Sequence, residues 1–201
     1  MAVRVRFAAP RRHAQRRCPC RVGAASTAVA AWTPLVLHRP FCGSVEPVRR
    51  FDAAFDLLTE RSTLWDEYWF PHNADFLNWR YLDHPTRQYL PFAAVVGAEP
   101  VGYCVVQIAG ERAWLMDFVA APQPFAVAHA LLLRAVTVAR EAGCGFLTAC
   151  APPRWRHCGL VRSAGFVKIP GSVFMYAWGR DEPGVQRLEN WQFLAGDMDG
   201  V

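Results

Sequence analysis

One carboxylate stands inside an otherwise apolar run, the segment AWLMDFVA that ends at Ala120. If that residue, Asp117, were buried, its pKa would be raised, and beside an amine it could act as a general base. The alternative is that Asp117 caps a turn or points to solvent on an exposed sheet face. The segment supports a catalytic hypothesis without excluding the structural one.

A second group of side chains suited to chemistry lies in the stretch FLNWRYLDHP. Trp79, Arg80 and Tyr81 could line a pocket for an acceptor molecule. His84 could serve that pocket as a general base near neutral pH. The competing interpretation is that the aromatic rings pack a helix onto a sheet while Arg80 pairs with a neighbouring acid. Both interpretations stay open.

Other chemical signatures are weak or missing from the sequence. It has no G-x-S-x-G nucleophile motif, no Walker loop and no Rossmann loop. Its seven cysteines lack the spacing of a zinc site. His129 and His157 are interpreted as packing or surface residues. Asp197 and Asp199 resemble a metal-binding D-x-D pair, but their position at the end of the sequence favours a terminal cap or loop, so no metal is expected.

Periodicity predicts the elements that would position these residues. The predicted helices are 49–61, a short helix capped by Asn73 or Asp75 and ended by Pro85, 125–142, and 152–164. The predicted strands are 89–96, 101–108, 113–120, 146–150, 167–178 and 191–194. A three-strand meander that feeds a β-α-β unit predicts an α+β fold: a mixed, mostly antiparallel sheet with helices on both faces.

The net charge of +5 comes from the first 45 residues, which hold eight arginines and no acid. We expect residues 1–45 to be a basic extension, disordered or targeting-like, although 28–37 could form a strand. The domain at 46–201 is mildly acidic, so no nucleic-acid partner is expected. No apolar run reaches the ~18 residues of a membrane span, and a cytoplasmic protein with reduced thiols is expected.

Three motifs carry a resemblance to a known family. The stretch FLNWRYLDHP and the ending NWQFLAGDMD resemble signatures of a bacterial subset of the GNAT acyltransferase superfamily, and Ser163-Ala164-Gly165-Phe166 is similar to the usual GNAT ending of the penultimate helix. The resemblance covers about residues 47–201. It implies a GNAT-like fold and an enzyme that moves an acyl group from acetyl-CoA or another acyl-CoA to a small-molecule or peptide amine; a homodimer is left open.

The same resemblance implies where acyl-CoA would bind. In the family, the strand before the long helix offers backbone groups to the pantetheine arm, and the following helix start holds the pyrophosphate. On this chain those parts correspond to Phe118, Val119, Ala120, Gln123, Phe125, Ala126 and Val127, and the N–H of Val119 would polarise the thioester carbonyl.

The sequence also departs from the family pattern. The phosphate loop has no glycine, and Pro124 removes one backbone donor. Val161 stands where the family often has a tyrosine that protonates the leaving thiolate. Two functions are therefore carried forward: an N-acyltransferase in which Asp117 or His84 takes the amine proton, and a catalytically inactive module that binds a ligand or partner.

Overall fold

The computed structural model describes residues 2–6, 41–63, 68–120, 125–150, 155, 157–169 and 190–198. Its strands are β1 Ala2–Arg6, β2 Ser44–Pro47, β3 Tyr68–Trp69, β4 Tyr89–Val96, β5 Glu99–Ala109, β6 Arg112–Ala120, β7 Phe146–Cys150, β8 Val167–Ile169 and β9 Trp191–Gln192. Its helices are α1 Ala53–Thr63, α2 Ala74–Leu77, α3 Phe125–Glu141 and α4 Cys158–Ser163, with a π-helical turn Asn78–Leu82 and a 3-10 turn Ala195–Asp197. Within these residues, none of the helices has the length and apolar character needed to cross a membrane.

Seven strands form one sheet in the order β2-β4-β5-β6-β7-β1-β8. β6 and β7 are parallel, and the other neighbouring strands of this sheet are antiparallel. α3 packs on one face of the sheet, and α1 and α2 cover the opposite face. The predicted α+β architecture, a mixed and mostly antiparallel sheet with helices on both faces, is confirmed.

β1 lies within the stretch expected to be a disordered or targeting-like extension. It pairs antiparallel with β7 and β8, with Val3 opposite both Ala149 and Lys168. Residues 3–6 alternate valine and arginine, which is the period-2 pattern of a strand. β2 begins at Ser44, just before the expected domain limit. Residues 7–40, with the strand expected at 28–37, lie outside the described residues.

The start of α1 differs from the prediction of a helix beginning at residue 49. Val48 N donates to Pro91 O over 2.9 Å, so the chain still follows the sheet edge there. The Asp52 side chain then accepts a hydrogen bond from Ala54 N over 3.0 Å, and the helix begins at Ala53. A local side-chain bond of this kind is what sets a helix start.

The later elements follow the predicted order with shifted limits. α3 ends at Glu141, and Gly143 with its φ of +73° closes it. α4 begins only at Cys158, and residues 151–154 lie outside the described part of the chain. β9 does not join the main sheet: it pairs in parallel with β3 as a separate two-stranded sheet. Beyond β8, the predicted strand to 178 also lies outside.

Candidate active site

A β-bulge in β6 decides which face of the sheet Asp117 joins. β5 and β6 pair Val105 with Asp117 and Val106 with Leu115, so Met116 is an extra residue in β6. Side chains alternate between the two faces of a strand. The extra residue therefore turns the Asp117 side chain away from α3 and towards the face that α1 and α2 cover, where it is 2% exposed.

The parallel pairing of β6 with β7 covers only the part of β6 before the bulge. Their parallel ladder ends with Leu115 opposite Ala149, whereas β6 continues to Ala120. Among the described strands, the last part of β6 pairs with β5 alone. A cleft lies beside this end of β6, and residues 117–120 form one of its sides.

The cleft is open to solvent and holds about 500 Å³ of empty space, including its mouth. The end of α1, the chain around β3, the end of β6, the chain before α4 and the C-terminal segment bound it. Its lining is mostly apolar and consists of Thr59, Ser62, Trp69, Phe70, His72, Asp117, Phe118, Val119, Ala120, Trp155, His157, Gln192, Phe193, Leu194 and Asp197. No lysine or arginine is among these described lining residues.

His72 reaches the cleft from the turn between β3 and α2. Thr59 Oγ1 in α1 donates to the carbonyl oxygen of His72 over 3.2 Å. The next residue, Asn73, caps α2 by accepting a hydrogen bond from Phe76 N over 2.8 Å, as the sequence predicted for this position. The imidazole stacks on the Phe76 ring with centroids 5.0 Å apart and planes 9° apart. Backbone and ring of His72 are thus both held.

The His72 imidazole lies between two carboxylates. Its Nδ1 is 3.0 Å from Oδ2 of Asp117, and its Nε2 is 2.6 Å from Oδ1 of Asp197. The Tyr81 and Tyr103 hydroxyls each donate to Asp117 Oδ2 over 3.3 Å. The five side chains are buried together, and the Asp197 side chain is only 3% exposed.

The other two carboxylate oxygens are also satisfied. Oδ1 of Asp117 accepts a hydrogen bond from Phe118 N over 2.7 Å, and Oδ2 of Asp197 accepts one from Leu194 N over 2.8 Å. Both acids therefore have a donor at each oxygen. A buried polar cluster is stabilising only when it is satisfied in this way, because an unpartnered buried charge is strongly unfavourable.

The surroundings hold His72 in its protonated form. Burial alone lowers the pKa of His72, but its charge attraction and hydrogen bonds to Asp117 and Asp197 more than offset this and raise the pKa to about 10. Burial, with the charges of Asp117 and Asp197, raises the pKa of Tyr81 and of Tyr103, so both hydroxyls stay neutral donors. The cluster then carries one positive charge and two negative charges.

Residues 190–198, the C-terminal segment, close one side of the cleft. Arg80 Nε donates to Gly196 O over 3.1 Å, and its Nη2 donates to Met198 O over 3.3 Å. Gly196 is required by space: a Cβ there would meet the Tyr81 hydroxyl and lie 2.8 Å from the Met116 carbonyl oxygen. The segment is therefore packed directly against the bulge that orients Asp117.

Three aromatic rings pack together beside the end of β6. The Phe118 centroid is 5.8 Å from that of Trp155 and 5.0 Å from that of His157, and the latter two are 5.2 Å apart. All three side chains are buried and edge-on to one another. They lie in the region where the family resemblance implies that the pantetheine arm would enter.

The residues expected to bind or activate an acceptor are placed differently from one another. Tyr81 joins the Asp117 cluster, and Arg80 clamps the C-terminal segment. Trp79 is 64% exposed. His84 is half-buried, and its Nδ1 accepts hydrogen bonds from Thr86 N and Arg87 N over 3.3 and 3.1 Å. His84 is not among the lining residues, so the structure does not bring it together with Asp117.

The residues expected to hold acyl-CoA fall into two groups. Phe118, Val119 and Ala120 line the cleft, and Gln123 lies outside the described residues. In the first turn of α3, Ala126 is half-buried and Val127 is buried against the sheet. Phe125 is 57% exposed and is not among the residues that line the cleft, so its ring does not fill it.

Three members of the cluster were not identified from the sequence: His72, Tyr103 and Asp197. Tyr103 reads as an ordinary core residue of a strand. Asp197 was interpreted as a terminal cap, and it does cap its own turn through Leu194 N, but it also contacts His72. The contact between His72 and Asp197 spans 125 residues, and no local pattern encodes such a contact.

No family model matches this chain, and no curated protein matches it. Several solved N-acetyltransferases are similar in fold. The ribosomal-protein-S18-alanine N-acetyltransferase from Escherichia coli is 16% identical, with 64% of this chain and 79% of that chain covered and a TM-score of 0.49. The PaiA N-acetyltransferase from Thermoplasma acidophilum, solved in complex with coenzyme A, is 15% identical over 61% of this chain and 87% of that chain, with a TM-score of 0.45.

A GNAT-family acetyltransferase from Streptococcus pneumoniae is 17% identical over 66% of this chain and 97% of that chain, with a TM-score of 0.46. With TM-scores below 0.5 and identities this low, these similarities establish neither the substrate nor the cofactor of this chain. Among the residues that the structure describes, no group of three or more His, Cys, Asp or Glu side chains is arranged to hold a metal ion.

Proposed function

We propose that the protein is an N-acyltransferase that moves an acyl group from a CoA thioester to an amine. The observation that carries the proposal is the cleft beside the buried carboxylate of Asp117, which the end of β6 lines beyond its ladder with β7. The motif resemblance of the sequence points to the same reaction. Cys104, Cys144 and Cys150 are free thiols, in keeping with a reducing compartment such as the cytoplasm.

The end of β6 fits an extended amide-bearing arm. Beyond Leu115 the strand pairs with β5 alone among the described strands, and we propose that its backbone groups on the other side bind the ligand. α3 begins nearby with no acid in its first turn, which suits an anionic group. Bound acyl-CoA would supply an acyl carbon for the amine to attack; the carbon–nitrogen bond forms, the carbon–sulfur bond breaks and CoA leaves as the thiolate. We propose that the N–H of Val119 polarises the carbonyl.

Asp117 is the better candidate of the two proposed bases, because it lines the cleft and His84 does not. An amine must lose a proton to become an amide nitrogen, and Asp117 would accept it directly or through a water molecule. Of the three residues expected to bind the acceptor, Tyr81 would hold the Asp117 carboxylate and Arg80 would hold the C-terminal segment.

The lining also fits the acceptor class. Three ionisable groups, His72, Asp117 and Asp197, give this part of the cleft one positive and two negative charges. The surrounding lining is largely aromatic and includes Trp69 and Phe70. A cation with an apolar body satisfies both features, through charge attraction and through cation–π contact. We therefore propose an amine whose carbon skeleton is apolar or aromatic.

A second candidate is a module that binds a ligand or partner without catalysis. The packing of Phe118, Trp155 and His157 favours it, because these rings occupy the space that a pantetheine arm would need. Val161, at the position where the resemblance implies an acidic tyrosine, lies in α4 and is buried in the core. In this second candidate the protein has the acyltransferase-like fold, but the site for acyl-CoA is filled by its own side chains.

Calorimetric titration of the protein with acetyl-CoA and with free CoA distinguishes the two candidates. We expect micromolar binding that is lost in Ala126→Glu, which places a negative charge in the first turn of α3. Ala142→Glu, the same change just beyond the opposite end of α3, is the matched control and should bind normally. If the unaltered protein shows no binding up to millimolar CoA, the transferase proposal fails and the non-catalytic module is the better account.

A further inference from the structure

The C-terminal segment supplies a whole side of the cleft from a stretch with very little regular structure. Gln192, Phe193, Leu194 and Asp197 all line the cleft. The regular elements of residues 190–198 are the two residues of β9 and one 3-10 turn. So short a segment gains little from its own backbone hydrogen bonds, and its position must depend on contacts with the rest of the fold.

Besides the pairing of β9 with β3, three side-chain contacts hold the segment. Trp191 stacks on Tyr68 with centroids 5.2 Å apart, at the outer end of the segment. Arg80 binds two backbone carbonyl groups near the inner end. Between them, the Asp197 side chain reaches into the buried cluster and meets His72 at 2.6 Å. This last contact joins the segment to the same ring that contacts Asp117.

We infer that His72 is a positioning residue, whose imidazole ties Asp117 of β6 to Asp197 of the C-terminal segment and so fixes the cleft wall in register with the carboxylate. The geometry requires both ring nitrogens, because Nδ1 faces one acid and Nε2 faces the other. The stacking on Phe76 fixes the ring plane in which the two nitrogens lie. A side chain with a single donor can serve only one of the two acids.

The link needs a proton on each nitrogen, so its charge environment matters. The ionisable groups around the His72 ring are Asp117 from β6, Asp197 from the C-terminal segment, Tyr103 from β5 and Tyr81 from the π-helical turn, with Arg80 beside Tyr81. The two acids favour the doubly protonated ring, and the two tyrosines are neutral. No described lining residue adds a lysine or arginine that would oppose it.

The inference rests on the proposed function only where it assigns Asp117 a part in catalysis; the link itself is independent of any reaction. Its first test is NMR spectroscopy of the full protein with ¹⁵N-labelled histidine. We expect both nitrogens of His72 to carry protons throughout about pH 6 to 9, whereas a free histidine loses its second ring proton near ~6.5. Asp197→Asn should shift the Nε2 signal and lower the titration midpoint of His72. A neutral ring that titrates near ~6.5 would overturn the inference.

The second test measures amide hydrogen exchange in the C-terminal segment. In His72→Gln we expect the protection of residues 190–198 to fall at least about tenfold, since a hydrogen bond to a charged group is lost. His129→Gln, on α3, is the matched control and should leave that protection unchanged. Unchanged protection in folded His72→Gln would overturn the inference. If His72→Gln does not fold, the NMR result on the unaltered protein and on Asp197→Asn decides.

A third measurement separates this inference from the proposed function. If CoA binding and acyl transfer are found, Asp197→Asn should reduce kcat and change its pH profile, whereas KM for the acyl donor should stay within about twofold. If no transfer is found, the NMR and hydrogen-exchange results alone decide whether the inference is correct. Acyl transfer with an unaltered pH profile in Asp197→Asn would contradict a positioning role.

Discussion

The Nε2 atom of His72 lies 2.6 Å from Oδ1 of Asp197, although the two residues are 125 positions apart in the chain. With Nδ1 of the same ring 3.0 Å from Asp117, a single imidazole connects the sheet, the turn before α2 and the end of the described chain. Few other side chains could make both contacts, because the two ring nitrogens point in different directions in one plane.

Because His72 is protonated in the folded protein, the free energy of unfolding should fall as the pH becomes alkaline. Its pKa is about 10 in the folded protein against 6.5 for a free histidine. A pKa raised by folding stabilises the native state fully below the unfolded value, and this contribution is lost as the pH rises through the folded value. We expect the free energy of unfolding, measured with urea, to fall between about pH 6.5 and 10. His72→Gln should flatten this slope and His129→Gln should retain it; equal slopes in both variants would contradict the assignment.

Gly196 should tolerate no side chain. In Gly196→Ala the new Cβ would meet the Tyr81 hydroxyl and lie 2.8 Å from the Met116 carbonyl oxygen, so the C-terminal segment must move away from the bulge. We expect a loss of roughly 1–3 kcal/mol in the free energy of unfolding, as for overpacking elsewhere. Gly159→Ala is the control, because a Cβ there meets nothing within 4 Å. Thermal unfolding of the two variants, compared side by side, checks the prediction, and a neutral Gly196→Ala would count against the packing described.

The Asn78 side chain should contribute more to the free energy of unfolding than that of Asn73. The buried Asn78 side chain accepts a hydrogen bond from Phe51 N and donates one to Phe51 O, both over 2.9 Å. Asn78→Ala leaves both buried backbone groups unpartnered, and we expect it to lower the free energy of unfolding by about 2–4 kcal/mol. Asn73→Ala removes one exposed helix cap and should lower it by about 1 kcal/mol. Urea unfolding of both variants provides the measurement, and the reverse order would show that the Phe51 contact is not formed in solution.

The proposed acceptor class can be tested without an acyl donor. Phenethylamine should bind at least about tenfold more tightly than phenethyl alcohol, because a desolvated cation–π contact and an attractive net charge add to the apolar contact. Hydrocinnamate, with the opposite charge, should bind most weakly. Tryptophan fluorescence reports the titrations, since Trp69 and Trp155 line the cleft. Equal affinity for the amine and the alcohol would exclude a role for the charge of the cluster.

Much of the fold follows from short-range patterns in the sequence. The period of the apolar residues predicts α3 and the β4–β5–β6 meander almost to the residue, and the isolated acid in β6 identifies Asp117. What the sequence does not reveal is geometric. A bulge at Met116 leaves the composition of the strand unchanged, and the preference of Asp197 for its own turn conceals its second contact with His72. His84, by contrast, has the right chemistry in the sequence but is occupied by its own local turn.

The bulge also exchanges the faces of the sheet that odd-numbered and even-numbered residues of β6 occupy. Before it, the odd-numbered Ala113 and Leu115 face α3; after it, the even-numbered Phe118 and Ala120 do. A comparison that matches this strand to an unbulged one without a gap can therefore be correct for only one half of its length. A one-residue gap at Met116 aligns both halves of the strand with the same face of an unbulged strand. Without that gap, Asp117 would be aligned with residues that face the α3 side of the sheet.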